Sequence, residues 1–176
     1  MPLINKSIGG DEYYSPPEVV NFILPYIPSE YKTIWCPFDK AESNFVKILT
    51  ASGYTVLYGH IETGQDFFTY EKPIGDAIIS NPPFSKRDAI LKKLFEWQFP
   101  FALVVPFFGL FDSKIRSDLL RTNEFEILVP KGRMRFYHKE KGMLNSPNYQ
   151  SIYLCSKFLD RQLVLSDYTF RRKKDE

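Results

Sequence analysis

The stretch DAIISNPPF, residues 76–84, gives the first firm constraint on the fold. Its β-forming residues end at Asn81, which is followed by two prolines and by Phe84. Proline fixes φ and has no backbone N–H, so Pro82 and Pro83 cannot continue a strand that is hydrogen-bonded on both sides. The stretch therefore predicts a buried strand that stops at a defined point and leaves into a stiff turn.

The turn after this strand carries groups that can orient an amine. The side-chain oxygen of Asn81 and the carbonyl of Pro82 point in fixed directions, and both can accept from one exocyclic amino group. Accepting both protons favours a tetrahedral nitrogen whose lone pair faces an electrophile, and Phe84 offers a flat face for a planar ring. The alternative is a turn that only ends the strand. The apolar strand before it and the helix signals after it favour the chemical interpretation.

The composition indicates one ordinary globular domain. The 176 residues are 44% hydrophobic and 25% charged, and the 16% that are aromatic supply rings both for a core and for stacking on bases. The net charge of +2 is too small to indicate a nucleic-acid-binding protein by itself. Cys36 and Cys155 lie far apart in strand-like runs, so we expect neither a disulfide nor a metal site. We also expect no membrane span and a cytoplasmic location.

Helix and strand signals alternate along the chain. Helix starts are predicted at Ser15, Asp39, Ser85 and Asp112. Strands are predicted at 33–38, 54–58, 75–80, 101–106, 125–129, 151–155 and 162–165. The alternation predicts a Rossmann-like α/β fold with a mostly parallel central sheet and helices on both faces. Because no helix separates the last strands, we expect an antiparallel edge. The domain is predicted to span residues 1–176, with a cap segment at 1–30, a core at 31–170 and a basic tail at 171–176.

Several polar and aromatic residues come directly after predicted strands. Open parallel sheets bind ligands at the carboxyl ends of their strands. One cleft is therefore predicted to be lined by Phe38, Asp39, His60, Ile61, residues 81–84, Pro106 and Phe107.

The order of these motifs resembles that of class I S-adenosylmethionine-dependent methyltransferases that modify amino groups, and most of all the small phage-type DNA adenine-N6 methyltransferases. The hallmark of that class is Asn, Asp or Ser, then Pro-Pro and an aromatic residue, after the fourth strand. Further segments similar to the family are 11–17, 64–68, 105–110, 132–136 and 146–149. The resemblance implies the class I methyltransferase fold, in a bacterial cell or a phage-infected host.

The resemblance implies methyl transfer from S-adenosyl-L-methionine to N6 of a flipped adenine in DNA. Asn81 and Pro82 would orient the amino group, Phe84 would stack on the base, and Tyr13 or Tyr14 would help to close the pocket. Residues implied to bind the cofactor are Tyr14, Pro37, Phe38, Asp39, His60, Asp66, Phe67 and Asn81. Among them, Asp66 would hold the cofactor's adenine amino group. Asp39 either contacts the methionyl amine or only caps a helix.

A basic cluster lies in the segment that would flank the target base. Its members are Arg133, Arg135, Lys139 and Lys141, interleaved with Phe136 and Tyr137. Such a pattern suits phosphate contact combined with stacking, and it also occurs in solvated loops. DNA is the predicted partner, and RNA is the alternative. The oligomeric state does not follow from the sequence.

One segment departs from the family pattern. Residues 36–44 contain no glycine, although family members have a glycine-rich turn there; Cys36 replaces the acid at the strand end and Lys40 stands where a glycine is expected. This departure keeps a non-catalytic alternative open, in which the scaffold binds a nucleic acid or a host protein. A second alternative keeps the chemistry and acts on RNA or on a protein amide. Two histidines, His60 and His138, give no spacing typical of a zinc site.

Overall fold

The structure, a computed structural model, describes residues 13–138, 142–143 and 149–170. The helices of this part are α1 (Pro17–Ile23), α2 (Asn44–Ala51), α3 (Arg87–Trp97) and α4 (Lys114–Thr122). Its strands are β1 (Tyr13–Tyr14), β2 (Thr33–Cys36), β3 (Thr55–Tyr58), β4 (Ala77–Ser80), β5 (Phe101–Pro106), β6 (Glu126–Lys131), β7 (Tyr137–His138), β8 (Gly142–Met143), β9 (Ser151–Ser156) and β10 (Leu163–Thr169). None of the described helices is long and apolar enough to cross a membrane.

A seven-stranded sheet in the order β10-β6-β9-β5-β4-β2-β3 forms the centre of the fold. All neighbouring strands are parallel except at β9, which runs antiparallel to both β5 and β6. The seven predicted strands supply this sheet, and the Rossmann-like α/β fold class is confirmed. The antiparallel strand lies between β5 and β6, because the chain re-enters the sheet at the edge where β6 ends. β10 then pairs in parallel with β6 on the outside.

The sheet is buried on both faces by apolar side chains. Residues of β2 alternate between the faces, with Ile34 in the cluster beneath α1 and α2 and Trp35 in the cluster beneath α3 and α4. β5 is buried at all six positions, as its continuous apolar run predicts. Cys36 and Cys155 are buried free thiols.

All four helix starts differ from the sequence predictions, the one at Asp112 least, because α4 begins at Lys114 and Ser113 caps it. α1 begins at Pro17 rather than next to a capping Ser15, and the position before it makes no side-chain cap. The predicted cap at Asp39 is wrong, because α2 begins at Asn44 and Ser43 caps it, accepting from the Val46 N–H at 3.3 Å. The predicted cap at Ser85 is also wrong, because a 3₁₀ turn over Phe84–Lys86 precedes α3. At Asp39 and Ser85, a longer irregular segment therefore remains at the carboxyl edge of the sheet.

We predict that one buried hydroxyl couples α1 to the sheet. The Tyr153 hydroxyl donates to the Val19 carbonyl at 2.8 Å, and both residues are fully buried. Replacing Tyr153 by Phe leaves that carbonyl without this donor, so the free energy of unfolding should fall by about 1 kcal/mol. Urea unfolding measures the change. The control Tyr58→Phe, at a tyrosine that is 45% exposed, should change it by less than about 0.5 kcal/mol. Equal stabilities of Tyr153→Phe and wild type would contradict the coupling.

Candidate functional site

A cavity of about 420 Å³ opens at the carboxyl ends of β2, β3 and β4. Open parallel sheets bind their ligands at this edge, and the volume is typical of small-molecule sites. The walls come from the loops after these three strands, from β1 and from the start of α2. The lining residues are Tyr14, Ser15, Pro37, Phe38, Asp39, Lys40, Glu42, Ser43, Asn44, Phe45, His60, Ile61, Glu62, Gln65, Asp66, Phe67, Phe68, Asn81, Pro83 and Lys86.

The cavity brings together the residues predicted to bind a cofactor. All eight line it, although they come from four separate parts of the chain: Tyr14, Pro37, Phe38, Asp39, His60, Asp66, Phe67 and Asn81. The structure therefore puts these residues where a single ligand would touch them. Which ligand they hold, and what each does to it, stays a prediction.

Other residues predicted for the same cleft lie outside the cavity lining. Pro82 is buried, and Phe84 is half-buried at the start of its 3₁₀ turn. Pro106 and Phe107 end and follow β5, the next strand of the sheet, and also stay outside the lining. A site for the target amine that used Asn81, Pro82 and Phe84 would thus extend beyond the lining of the cavity.

The predicted nucleic-acid cluster is described only in part. Arg133 is exposed and Arg135 is half-buried, while Lys139 and Lys141 lie outside the described residues. β1 pairs antiparallel with β7, Tyr14 being opposite Tyr137. This pairing holds the segment after Arg135 against a wall of the cavity.

The two aromatic residues of that cluster have different environments. Phe136 is 2% exposed and belongs to the core cluster that contains Met134. The prediction that Phe136 stacks on bases is therefore wrong, since an alternating burial pattern turns this ring inward. Tyr137, at 44% exposed, presents its ring to the surface.

Asp39 is the buried acid of the cavity. Its side chain is only 8% exposed, and its carboxylate accepts hydrogen bonds from the hydroxyls of Ser80 and Ser43. The Asp39 N–H donates to the carbonyls of Gly59 at 3.0 Å and of Cys36 at 3.3 Å, which fixes the residue between the ends of β2 and β3. Burial raises the pKa of Asp39 to about 6, although the two hydroxyl donors act in the opposite direction. At neutral pH most of the population carries a buried negative charge.

Asn81 is the second unusual polar group. Its Nδ2 donates to the Ser15 Oγ at 3.1 Å, and the Ser15 carbonyl accepts from Asn44 Nδ2 at 2.9 Å. The Asn81 Oδ1 is buried and has no hydrogen-bond partner in the described part of the chain. Leaving a buried acceptor unpaired costs about 1–3 kcal/mol. Because Asn81 belongs to the cavity lining, a ligand donor that reached this oxygen would remove the cost.

Ser15 was missed as a site residue by sequence reasoning. Its neighbours Pro16 and Pro17 indicate a helix start, and that signal led to a capping role. The hydrogen bond with Asn81 joins residues 66 positions apart, so no local sequence pattern predicts it. The buried serine instead ties the N-terminal segment to the turn after β4.

The loop without glycines, residues 37–43, closes with ordinary backbone geometry. Among the described residues, the non-glycine positions with positive φ are Gln98 and Lys157, and neither is in this loop. Lys40, in the place of the expected glycine, forms an ion pair with Glu62 beyond β3. His60 Nδ1 lies 4.0 Å from the Glu62 carboxylate and accepts from the Glu62 N–H at 3.1 Å. The loop thus needs no left-handed residue, and it brings a lysine to the cavity wall.

Asp66 and Phe67 begin a short turn at the far side of the cavity. Asp66 Oδ1 accepts from the Phe68 N–H at 2.9 Å and starts the 3₁₀ turn Phe67–Thr69. Phe67 is 3% exposed and packs against Phe38 and Trp35, with ring centroids 5.0 and 5.7 Å away. Phe67 is therefore a core ring that also lines the cavity, and Asp66 presents its second carboxylate oxygen without a hydrogen bond from the described residues.

The buried Asp39 predicts a pH dependence of stability. Its folded-state pKa of about 6 lies above the ordinary 3.8, so the folded protein holds this proton more tightly than the unfolded chain does. The contribution of this bound proton to the free energy of unfolding is largest below about pH 4, and it is lost as the pH rises through about 6. Asp39→Asn keeps an acceptor for Ser80 and cannot ionise. Between about pH 4 and about pH 7, wild type should lose about 2 kcal/mol more unfolding free energy than the variant.

Urea unfolding of both proteins at several pH values measures this difference. The contributions of all other carboxyl groups to the pH dependence cancel when wild type is compared with the variant. Asp76 is one of them, and its pKa is lowered by hydrogen bonds from the Thr33 and Lys32 N–H groups. Parallel pH profiles for the two proteins would show that Asp39 is not the buried acid described here.

No protein-family model matches the chain, and no curated protein matches its sequence. Among solved structures, the fold is similar to that of the methyltransferase subunit of a type I restriction-modification system from Streptococcus thermophilus. The TM-score is 0.47 and the sequence identity 14%; the match covers 86% of this chain and 46% of the subunit, so the chain spans less than half of the subunit's length. A likeness this distant carries no argument about activity or substrate.

Proposed function

We propose that the chain binds S-adenosyl-L-methionine in the cavity and transfers a methyl group to N6 of adenine in DNA. The observation that carries the proposal is Asn81, a residue of the cavity lining whose buried Oδ1 has no hydrogen-bond partner among the described residues. The Asn-Pro-Pro-Phe motif resembles that of amino-methyltransferases, and this resemblance indicates which donor would bind the Asn81 Oδ1. That donor is an exocyclic amino group.

The chemistry of the cavity fits the proposed cofactor. S-adenosyl-L-methionine carries a cationic methionyl amine and an adenine ring, and when bound it supplies an electrophilic methyl group. The Asp39 carboxylate is mostly ionised at neutral pH and suits the ammonium group. Asp66 offers an acceptor for the adenine amino group, and Phe38 gives an apolar surface for its ring.

His60 and Glu62 line the part of the cavity beyond β3, where we place the ribose hydroxyls. Binding there has to compete with the Lys40–Glu62 ion pair. Tyr14 of β1 is 41% exposed and belongs to the cavity lining, and in the proposal it helps to close the pocket.

Activation of the target amine rests on acceptors and stacking. Asn81 and the Pro82 carbonyl would accept the two amino protons, and Phe84 would stack on the base. Such positioning supplies rate enhancement through orientation, so no residue has to act as a strong base. A base inside a duplex cannot present its N6 to the cavity edge, and the adenine must therefore flip out.

DNA is supported as the substrate by the basic segment beside the cavity. Arg133 and Arg135, with Lys139 and Lys141, would contact phosphates, and the β1–β7 pairing holds the neighbouring strand against the cavity wall. Phosphate contacts carry no sequence information, so this segment positions the duplex without selecting a recognition sequence.

The Lys40–Glu62 ion pair favours one rival function. It links the loops after β2 and β3 at the cavity wall, where the family has glycine. If the pair does not yield to a ligand, the scaffold binds nucleic acid without transferring a methyl group. Transfer assays separate the two functions directly.

Asn81→Ala should abolish methyl transfer. Removing an oriented acceptor that acts on the reacting group should lower the rate by roughly 100-fold or more. Cofactor affinity should stay nearly intact, because the other seven residues predicted to bind the cofactor remain. Asn21→Ala, at an exposed position of α1, is the matched control and should behave as wild type. Transfer from labelled cofactor to DNA, RNA and a ribosomal protein fraction measures the activity, and adenine-methylation-sensitive restriction digestion reads the position.

Three results would contradict this function. Full activity of Asn81→Ala would remove the role of Asn81. Transfer to RNA or to protein, with none to DNA, would keep the chemistry and replace the substrate. Wild type that binds DNA and transfers nothing would instead favour the non-catalytic rival.

A further inference from the structure

The loop after β5 exposes aromatic rings. Phe107 is 46% exposed, Phe108 is 78% exposed and Phe111 is 48% exposed. Phe111 lies against Phe125, with ring centroids 6.4 Å apart, so the free tip consists of Phe107 and Phe108. Two adjacent rings in solvent are unfavourable unless something covers them. We call residues 107–111 the phenylalanine loop.

The phenylalanine loop leaves the sheet at the same edge as the turn after β4. β4 and β5 are parallel, and their last paired residues are Ser80 and Leu103. β5 continues for three more residues, to Pro106. At about 3.3 Å per residue, the loop therefore begins about 10 Å beyond the level at which β4 ends. The loop thus starts past the level of Asn81, at the edge of the sheet where the proposed function has the DNA approach.

A network around Arg116 fixes the phenylalanine loop. Its Nη2 donates to the Gly109 carbonyl at 2.6 Å and its Nε to the Leu110 carbonyl at 3.3 Å. Its Nη1 pairs with Asp88 in the first turn of α3, and the Arg116 side chain is only 11% exposed. The loop is thus held to the helix that follows the Asn-Pro-Pro-Phe turn, so its rings have a defined position relative to that turn.

A second guanidinium, that of Arg87, lies beside this network. Arg87 precedes Asp88, and its Nε is buried with no hydrogen-bond partner in the described part of the chain. Lys114 and Arg116, the cations of the adjoining helix start, are paired with Asp118 and Asp88. The Asp88 carboxylate acts on the charge of Arg87, yet the Arg87 Nε still has no acceptor, and an oxygen of a bound partner would supply one. A guanidinium beside exposed rings suits a partner with phosphates and stacked bases.

We propose that the phenylalanine loop is a wedge that enters the DNA duplex, with Phe108 occupying the space that the flipped adenine leaves and Arg87 contacting an adjacent phosphate. This proposal rests on the proposed function, because it takes flipping of the target base as given. Filling the gap stabilises the extrahelical base, since an aromatic ring replaces part of the stacking that is lost. A single strand has no such gap to fill.

Comparison of duplex and single-stranded substrates tests the wedge. Phe108→Ala should lower methyl transfer to an adenine in a duplex by roughly tenfold or more, the scale of one lost stacking interaction. Transfer to the same adenine in a single strand should change by less than about twofold, which also shows that the variant is folded. Phe108→Trp should restore duplex activity. The control Leu165→Ala, at a residue 74% exposed on β10, should leave both activities unchanged.

A second readout follows the base itself. With 2-aminopurine in the place of the target adenine, wild type should raise the fluorescence of the duplex, and Phe108→Ala should raise it much less. Equal losses on duplex and single strand, or no loss on duplex, would overturn the wedge and leave the proposed function standing. Wild type that methylates neither substrate would overturn the proposed function, and the wedge with it.

Discussion

The hydrogen bonds made by Ser80 and Asn81 hold the carboxyl edge of the sheet together. Ser80 donates to Asp39 in the loop after β2, and Asn81 donates to Ser15 ahead of α1. Both donors come from the end of a fully buried strand, so their positions are fixed by the core. Through them, segments that are distant in sequence meet around one cavity. The prolines that follow prevent the strand from running on and covering this edge.

The same edge carries two groups that oppose folding. The Asp39 carboxylate is buried, which raises its pKa to about 6, and the Asn81 Oδ1 lacks a hydrogen-bond partner among the described residues. Folded proteins tolerate such groups where a ligand later compensates them. A cationic amine on a ligand would pair with the Asp39 carboxylate, and an exocyclic amino group would donate a hydrogen bond to the Asn81 Oδ1. The two groups lie in one cavity, which is why a cofactor and an amine substrate together form the best account of the site.

Much of this edge is predictable from sequence because the relevant signals are local. Apolar runs locate the strands, and parallel strands put their carboxyl ends at one edge, so residues such as Phe38, His60 and Asn81 had to converge. The resemblance to amino-methyltransferases then gives these residues a shared purpose. The absence of glycine from residues 37–43 does not strain the backbone of this loop, since none of these residues has a left-handed conformation.

What the sequence does not reveal depends on contacts between distant residues. The local sequence around Ser15 and Asp39 fits helix caps. In the structure, both side chains instead accept hydrogen bonds from residues at the end of β4, Ser15 from Asn81 and Asp39 from Ser80. The burial of Phe136 follows from packing against the far face of the sheet, which no short window encodes. The exposure of Phe108 is equally invisible, because a Phe-Phe pair after an apolar strand is normally part of a core.

Calorimetric titration of the wild-type protein with S-adenosyl-L-methionine tests the central claim most directly. The account predicts saturable binding with one site per chain. Because Asp39, Asp66 and Glu62 line the cavity, ATP, which shares the adenine and ribose but carries a polyanion, should bind much more weakly. Absence of binding at millimolar S-adenosyl-L-methionine would contradict the account, and so would equal affinity for ATP.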